Sequence, residues 1–400
     1  MKIVLFDDPA IRAALLPLTF TRPVGALRVG ILTIAEKWQQ YSGHEAGYLT
    51  QPYLQQKFPK PDEGYLVFVN GGACPTPNLF AAVKELGHGQ ALYIGNQLLA
   101  VRPENTQVQT VEELYNHAPL AVTETDIDCN LIKQLPDIFL HNGKEIRADF
   151  DLITKGRQSQ PVNDAHTIVY GAENIFIEEG VKIRAAILNA EDGPIYLGRN
   201  SQVQEGALIK GPFALCEGSH VNMGGKMRGD NTVGPHSKVG GEISNSVIQG
   251  YSNKGHDGFL GNSVIGEWCN LGADTNTSNL KNNYAEVKLW HYPSQSFKST
   301  GQQFCGLIMA DHAKCGINTM FNTGTVVGVS ANVFGSGFPR NVIPDFAWGG
   351  AQGFETYQLR KVFEVAEKVM ARRHIAFDDT EKNILKHVFE ETKVYRNWDK

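Results

Sequence analysis

The chain has 400 residues, enough for two or three domains that each bury a core, and its 42% apolar and 20% charged residues are ordinary for a globular protein. A formal net charge of −5 gives no electrostatic case for nucleic acid or an anionic membrane as a partner, so any phosphate site must be local. Six cysteines (Cys74, Cys129, Cys216, Cys269, Cys305 and Cys315) are scattered without a C-x-x-C pair, which argues against zinc or a disulfide framework and for small buried hydrophobes.

The opening Met-Lys-Ile-Val-Leu-Phe-Asp-Asp reads as a short buried strand. It is too short for a signal peptide, and no stretch approaches the ~20 apolar residues that span a bilayer; the cytoplasm is the expected location. Ile3 to Phe6 forms this strand, ended by Asp7-Asp8-Pro9. Ile31 to Trp38 reads as a helix, Tyr65 to Val69 as a second strand closed by Asn70-Gly71-Gly72, Leu79 to Leu86 as a helix, and Ala91 to Ile94 as a third strand. Strands alternating with helices imply an α/β domain with a mostly parallel sheet. The more polar 101–165 reads as the domain's edge plus a connector.

A repeat follows. Leu197, Val203, Ile209, Leu215, Val221, Met227, Val233 and Val239 recur every sixth residue, a period no helix has. Four positions after each, the residue is mostly small or turn-prone (Ser201, Ala207, Ser219, Gly225, Asn231, Ser237), with Phe213 and Ile243 as exceptions. Chance gives three such positions, not eight in succession. The hexapeptide period is the signature of a parallel β-helix, here read as left-handed. Each six-residue unit is one side of a triangular coil, with the apolar residue pointing inward and coils stacked roughly 4.8 Å apart. Ile177 and Ile183 begin the first coil. The phase resumes at Phe259, Ile265 and Leu271, and again at Met309, Cys315, Phe321, Val327 and Val333, ending near Ile343. Between them, Lys281 to about Cys305 breaks the period and holds Trp290, His291, Tyr292 and Pro293, which suggests a loop thrown out over a site or a neighbouring subunit. Leu359, Val362, Phe363, Ala366, Val369 and Met370 then follow helical spacing. A second helix around Ile384-Leu385 and Val388-Phe389 is preceded by a cap at Asp378-Asp379-Thr380; both helices are expected to pack on the β-helix or a partner chain. The domains divide as 1–165, 166–350 and 351–400.

A packed β-helix leaves function to its outside. Where the hexad breaks, Asn253-Lys254-Gly255-His256-Asp257-Gly258-Phe259-Leu260-Gly261 sets a histidine among glycines, with Arg228 and Glu242 upstream and Asn270 and Asn279 downstream. Histidine is the usual general base near neutral pH, and a carboxylate can orient its ring. A solvated loop histidine is the plainer alternative.

The order Glu242, Lys254-Gly255-His256, Phe259-Leu260-Gly261, Asn270, Asn279 resembles the acetyltransferase half of the GlmU family, the bifunctional UDP-N-acetylglucosamine pyrophosphorylases/glucosamine-1-phosphate acetyltransferases. The resemblance implies that His256 takes a proton from the sugar amine as it attacks acetyl-CoA, with Glu242 behind it. It gives Arg228, Lys254, Asn270 and Asn279 to the sugar phosphate and the amine, in a homotrimer with acetyl-CoA between neighbouring prisms. Three positions depart: Ser244 stands for a lysine, Phe259 for a tyrosine, and a second phosphate-binding lysine has only Lys281 or Lys288 as candidates. In the N-terminal half, Leu16-Pro17-Leu18-Thr19-Phe20-Thr21-Arg22-Pro23 and Leu27-Arg28-Val29-Gly30 resemble the opening of sugar-1-phosphate nucleotidyltransferases. There the glycine-rich phosphate loop is replaced by Asp7 to Arg12, a lysine by Val24, and a metal-binding aspartate by Gly72. Arg12, Arg22, Arg28 and Asn70 remain as nucleotide or phosphate contacts. Mg²⁺ is expected for nucleotidyl transfer, with Asp7, Asp8 or Asp149 as the carboxylates left to hold it. The arrangement is similar to an alternative branch of the family found chiefly in Bacteroidota.

The leading expectation is therefore a bifunctional enzyme, acetylating glucosamine 1-phosphate with acetyl-CoA and coupling the product to UTP. One rival is a single-activity nucleotidyltransferase with the β-helix as a trimerising or regulatory scaffold. Another is a non-catalytic sugar-nucleotide-binding assembly protein.

Overall fold

The computed structural model describes residues 1–61, 66–104, 108–116 and 121–399; Tyr65, the expected start of the second strand, lies outside them. The described chain forms two compact units. One comprises Met1–Arg28 and Leu32–Leu135, the other Val29–Ile31 and Pro136–Lys400. Among the described residues, no helix is long and apolar enough to cross a membrane.

The first unit is built on a six-stranded sheet in the order Gly47–Leu49, Lys2–Phe6, Leu66–Asn70, Gln97–Arg102, Gln90–Ile94, Ala121–Glu124. The strands flanking Lys2–Phe6 run parallel to it, as alternation with helices implies. Gln97–Arg102 was not expected from the sequence, and it enters antiparallel between two expected strands. The cause is local: Gly95-Asn96, with Gly95 at a φ of 54°, turns the chain straight back on itself as a tight hairpin. The sheet is therefore mixed. The helix expected from Ile31 starts at Ile34 instead, because Thr33 and Glu36 form a reciprocal capping box that fixes the first turn.

The second unit is dominated by a parallel β-solenoid whose three walls are sheets of six, nine and ten strands. All eight residues of the unbroken hexad run are at most 2% exposed and join one core. Coils stack in strict register, with Val203 beside Val221 and Val221 beside Val239. The small corner residues have a role beyond size. Ser219 Oγ donates to the Gly234 carbonyl and accepts from the Ser237 amide, and Ser237 Oγ accepts in turn from the Ser252 amide, so the serines stitch successive coils. The phase expected at Phe259 is off by one. Leu260 is the inward residue, fully buried and beside Ile243, whereas Phe259 is only half-buried. The coil after Val239 is shortened, Ile243 turns inward after four residues, and a one-residue slip sends each strand side chain to the opposite face.

The 281–305 excursion is an antiparallel hairpin, Lys288–His291 with Ser296–Ser299. Its buried Tyr292 donates to Asp345 at 3.0 Å, so it packs on the last coils of the same solenoid. Two helices, Leu359–Ala371 and Asp379–Glu391, close the chain, the second capped by Asp378 as expected. The second packs on the last coils, where Phe346 meets Phe389 edge-on and the buried Arg396 just beyond that helix reaches the Asp345 carbonyl at 3.5 Å. Five of the six cysteines are buried.

The corrected register is directly testable. Leu260→Ala should cost about 2–5 kcal/mol in a denaturant titration, because it opens a cavity in the prism. Phe259→Ala should cost less than half as much.

Candidate functional site

His256 stands at a corner of the prism, in the loop between the strands Asn253–Lys254 and Phe259–Gly261, and its side chain is exposed. Neighbouring coils grip the loop through its backbone. Asn222 Nδ2 donates to the Gly255 carbonyl at 2.8 Å, and the Phe259 amide donates to Asn276 Oδ1 at 2.8 Å. Gly258 closes the loop at a φ of 112°, and a Cβ there would lie 2.1 Å from the Thr275 carbonyl oxygen, so only glycine lets the corner sit this close to the next coil.

On one side of this corner lies a groove of roughly 670 Å³ lined by His256, Asn253, Asn270, Lys238, Lys314, Arg372 and Arg373 among others. Among the described residues, no aspartate or glutamate lines it. Lys238, Asn253, Asn270 and Lys314 are outward neighbours on successive coils of one wall. Lys314 is half-buried, its ammonium donating to the His312 carbonyl at 2.9 Å, and burial lowers its pKa to about 8. The arginines come from the end of helix Leu359–Ala371. Beside the groove a column of rings climbs the corner, with Tyr251 stacked on Trp268 at 4.3 Å.

On the adjoining wall sit Arg228, Glu242 and Asn279. Glu242 lies beside Phe259 on the next coil, and among the described residues its carboxylate bonds Arg228 at 2.8 Å, not His256. Asn279 donates to Asn262 at 2.8 Å. Lys254 is not on the surface: it is 1% exposed and bonded inside the corner to main-chain carbonyls. The structure thus brings His256 and Asn270 into one groove and sets Arg228, Glu242 and Asn279 round the corner from it. No residue of the 281–305 hairpin lines the groove. Lys238, Lys314, Arg372 and Arg373 were missed. Lys238 was legible as the outward neighbour of inward Val239, whereas nothing in a helix-ending Arg-Arg pair says which wall it reaches.

In the first unit the candidate phosphate contacts are mostly committed. Asn70 is fully buried, donating to the Leu98 carbonyl and accepting from the Gly72 amide. Arg28 is buried and lies 3.3 Å from Glu36, and Arg22 is 6% exposed. Arg12 bonds the Tyr53 hydroxyl at 2.8 Å. The carboxylates considered for Mg²⁺ do not fit one. Asp8 caps helix Pro9–Ala14 through the Ala10 and Ile11 amides and takes Gln97 and Tyr115 on its other oxygen, which fills the four lone-pair directions of a carboxylate. Asp7 is buried between the Val24 amide and the Thr50 hydroxyl. Asp149, in the second unit, accepts from Ile31. At Gly72 a Cβ would lie 2.7 Å from the Ile132 carbonyl oxygen, so no aspartate fits there either. Among the described residues, no cluster of three metal-ligating side chains occurs.

Residues 3–158 match the family model described as sugar nucleotidyl transferase. A bifunctional sugar-1-phosphate nucleotidylyltransferase/acetyltransferase of Sulfurisphaera tokodaii is 28% identical over 160 residues, 40% of this chain and 37% of the relative. The bifunctional protein GlmU of Methanocaldococcus jannaschii is 36% identical over 87 residues, 22% of this chain and 21% of the relative. The chain thus matches well under half the length of these relatives. A solved structure of AntD, an N-acyltransferase from Bacillus cereus in complex with dTDP and 3-hydroxybutyryl-CoA, covers 52% of this chain and 91% of its own at 12% identity. Its TM-score of 0.22 is too low to carry an argument.

Burial raises the Asp7 carboxyl from 3.8 to about 6. The folded state then holds more protons than the unfolded one between those values, so the stability linked to Asp7 falls as pH rises from 3.8 to about 6. Asp7→Asn should flatten the stability profile across that window and leave the domain at least as stable at pH 7; an unchanged profile would show that Asp7 ionises normally.

Proposed function

We propose, on the premise of the GlmU-like family that the domain match and the curated relatives support, a bifunctional transferase acting on amino-sugar phosphates. The solenoid moves an acetyl group from acetyl-CoA to the amine of glucosamine 1-phosphate, and the N-terminal domain couples the product to UTP, giving UDP-N-acetylglucosamine. One observation carries the first half: an exposed histidine stands at the rim of a groove that, among the described residues, holds four cationic side chains and no carboxylate, in a chain whose net charge is −5. Such a lining suits the phosphates that both the acceptor and the acyl donor bear.

His256 takes a proton from the attacking nitrogen as that nitrogen adds to the thioester carbonyl, and the thiolate of coenzyme A leaves. Asn270 lies in the same groove, within the reach of an acceptor held there. Arg228, Glu242 and Asn279, round the corner, would serve a site completed by a neighbouring chain, which fits a homotrimer with acetyl-CoA between prisms. The Glu242 carboxylate is engaged by Arg228 and not by the imidazole, so the ring's orientation does not come from it within one chain.

Uridylyl transfer rests on the likeness of residues 3–158, with Arg12 as the partly exposed phosphate contact. A second reading, in which the N-terminal domain binds a sugar nucleotide without transferring it, is favoured by the saturated Asp8 and by the closed approach at Gly72. The cytoplasm is the proposed location.

With acetyl-CoA and glucosamine 1-phosphate, the purified chain should release free thiol, and His256→Ala should lower kcat by roughly 10²–10⁴-fold. No thiol release from the parent chain overturns the acetyl-transfer reading. Pyrophosphate release from UTP and N-acetylglucosamine 1-phosphate decides between the two readings of the N-terminal domain.

A further inference from the structure

We propose that Lys254 is a positioning residue that holds the His256 loop from inside the solenoid. The proposal rests on the reading of His256 as general base. Along this wall the inward column runs Val221, Val239, Lys254, Leu271, Cys315, with Lys254 registered directly on Val239. Every other member of that run is apolar or a thiol; Lys254 alone carries an ammonium, and it is 1% exposed. Packing does not require it there, since an aliphatic side chain would fill the column without the cost of desolvating a charge. That cost shows as a pKa lowered by burial to about 8.

What the ammonium does instead is specific. It donates to the His256 carbonyl at 2.6 Å and to the Asp257 carbonyl at 2.9 Å, two successive peptide groups of the loop that bears the exposed imidazole. This loop has a glycine on each side, Gly255 and Gly258, and so has little intrinsic preference for one shape. The clamp therefore fixes the backbone under the ring, and among the described residues no hydrogen bond occupies the imidazole nitrogens. Lys254 never touches the reacting atoms; its effect passes through the peptide it holds.

The full chain with Lys254→Met tests this, because methionine suits the apolar column. The expected result is a thermal midpoint equal to or above the parent's. The kcat for acetyl transfer should fall at least tenfold with the KM for acetyl-CoA within about twofold. Amide exchange should quicken at least tenfold at Gly255 to Phe259 and stay unchanged in neighbouring coils. Lys254→Gln, which keeps a donor, should fall between the two. A lower midpoint with protection lost across the whole solenoid, or failure of both variants to fold, would make Lys254 a structural residue and overturn the proposal. So would a Met variant with parental kcat and parental loop exchange. If the loop amides quicken while His256→Ala keeps full activity, the general-base reading has failed instead, and the two failures are told apart.

Discussion

A parallel solenoid stands on the hydrogen-bonded register between one coil and the next. Each coil satisfies its backbone only through its neighbours, and each inward side chain is buried only because the coils above and below close over it. Val203, Val221 and Val239 illustrate the constraint: they share one column, and moving any of them by one residue would turn an aliphatic side chain to water. The corner serines reinforce the same register, since Ser219 and Ser237 each bond the backbone of an adjacent coil. A scaffold this rigid offers function only where the regularity is interrupted.

That interruption is the stretch from Gly240 to Leu260. A shortened coil brings Ile243 inward early, an ammonium replaces an aliphatic side chain at Lys254, and the four residues Gly255 to Gly258 lift an imidazole off the corner. The place of lowest structural regularity and the place of highest chemical interest coincide. The same coils form one wall of the groove in which His256 and Asn270 face four cations, so the break in the repeat and the charge of the groove point to one place.

The sequence made the solenoid legible because its period is repeated many times, so the inward residues from Leu197 to Val239 were readable with no knowledge of contacts. Phe259 was misplaced for the opposite reason: a period cannot be carried across an irregular coil, and the larger apolar residue of the pair Phe259-Leu260 is the one that faces outward. Lys254 was readable as a loop cation, but only the register with Val239 shows that it points into the core. Arg372 and Arg373 belong to the groove through tertiary packing of a terminal helix, which leaves no trace in local sequence. In the N-terminal domain the strands were readable as short apolar runs, whereas the fate of Asp7 and Asp8 was not. Their carboxylates are consumed by Val24, Thr50, Gln97 and Tyr115, partners far away in sequence.

The central claim is that the corner imidazole meets an amine held in the cationic groove. A crystal structure of the chain with coenzyme A and glucosamine 1-phosphate addresses it most directly. The sugar nitrogen should lie within hydrogen-bonding distance, about 3 Å, of a ring nitrogen of His256, with phosphate oxygens in the groove lined by Lys238, Arg372 and Arg373. Both ligands ordered at a site that does not include His256 would contradict it.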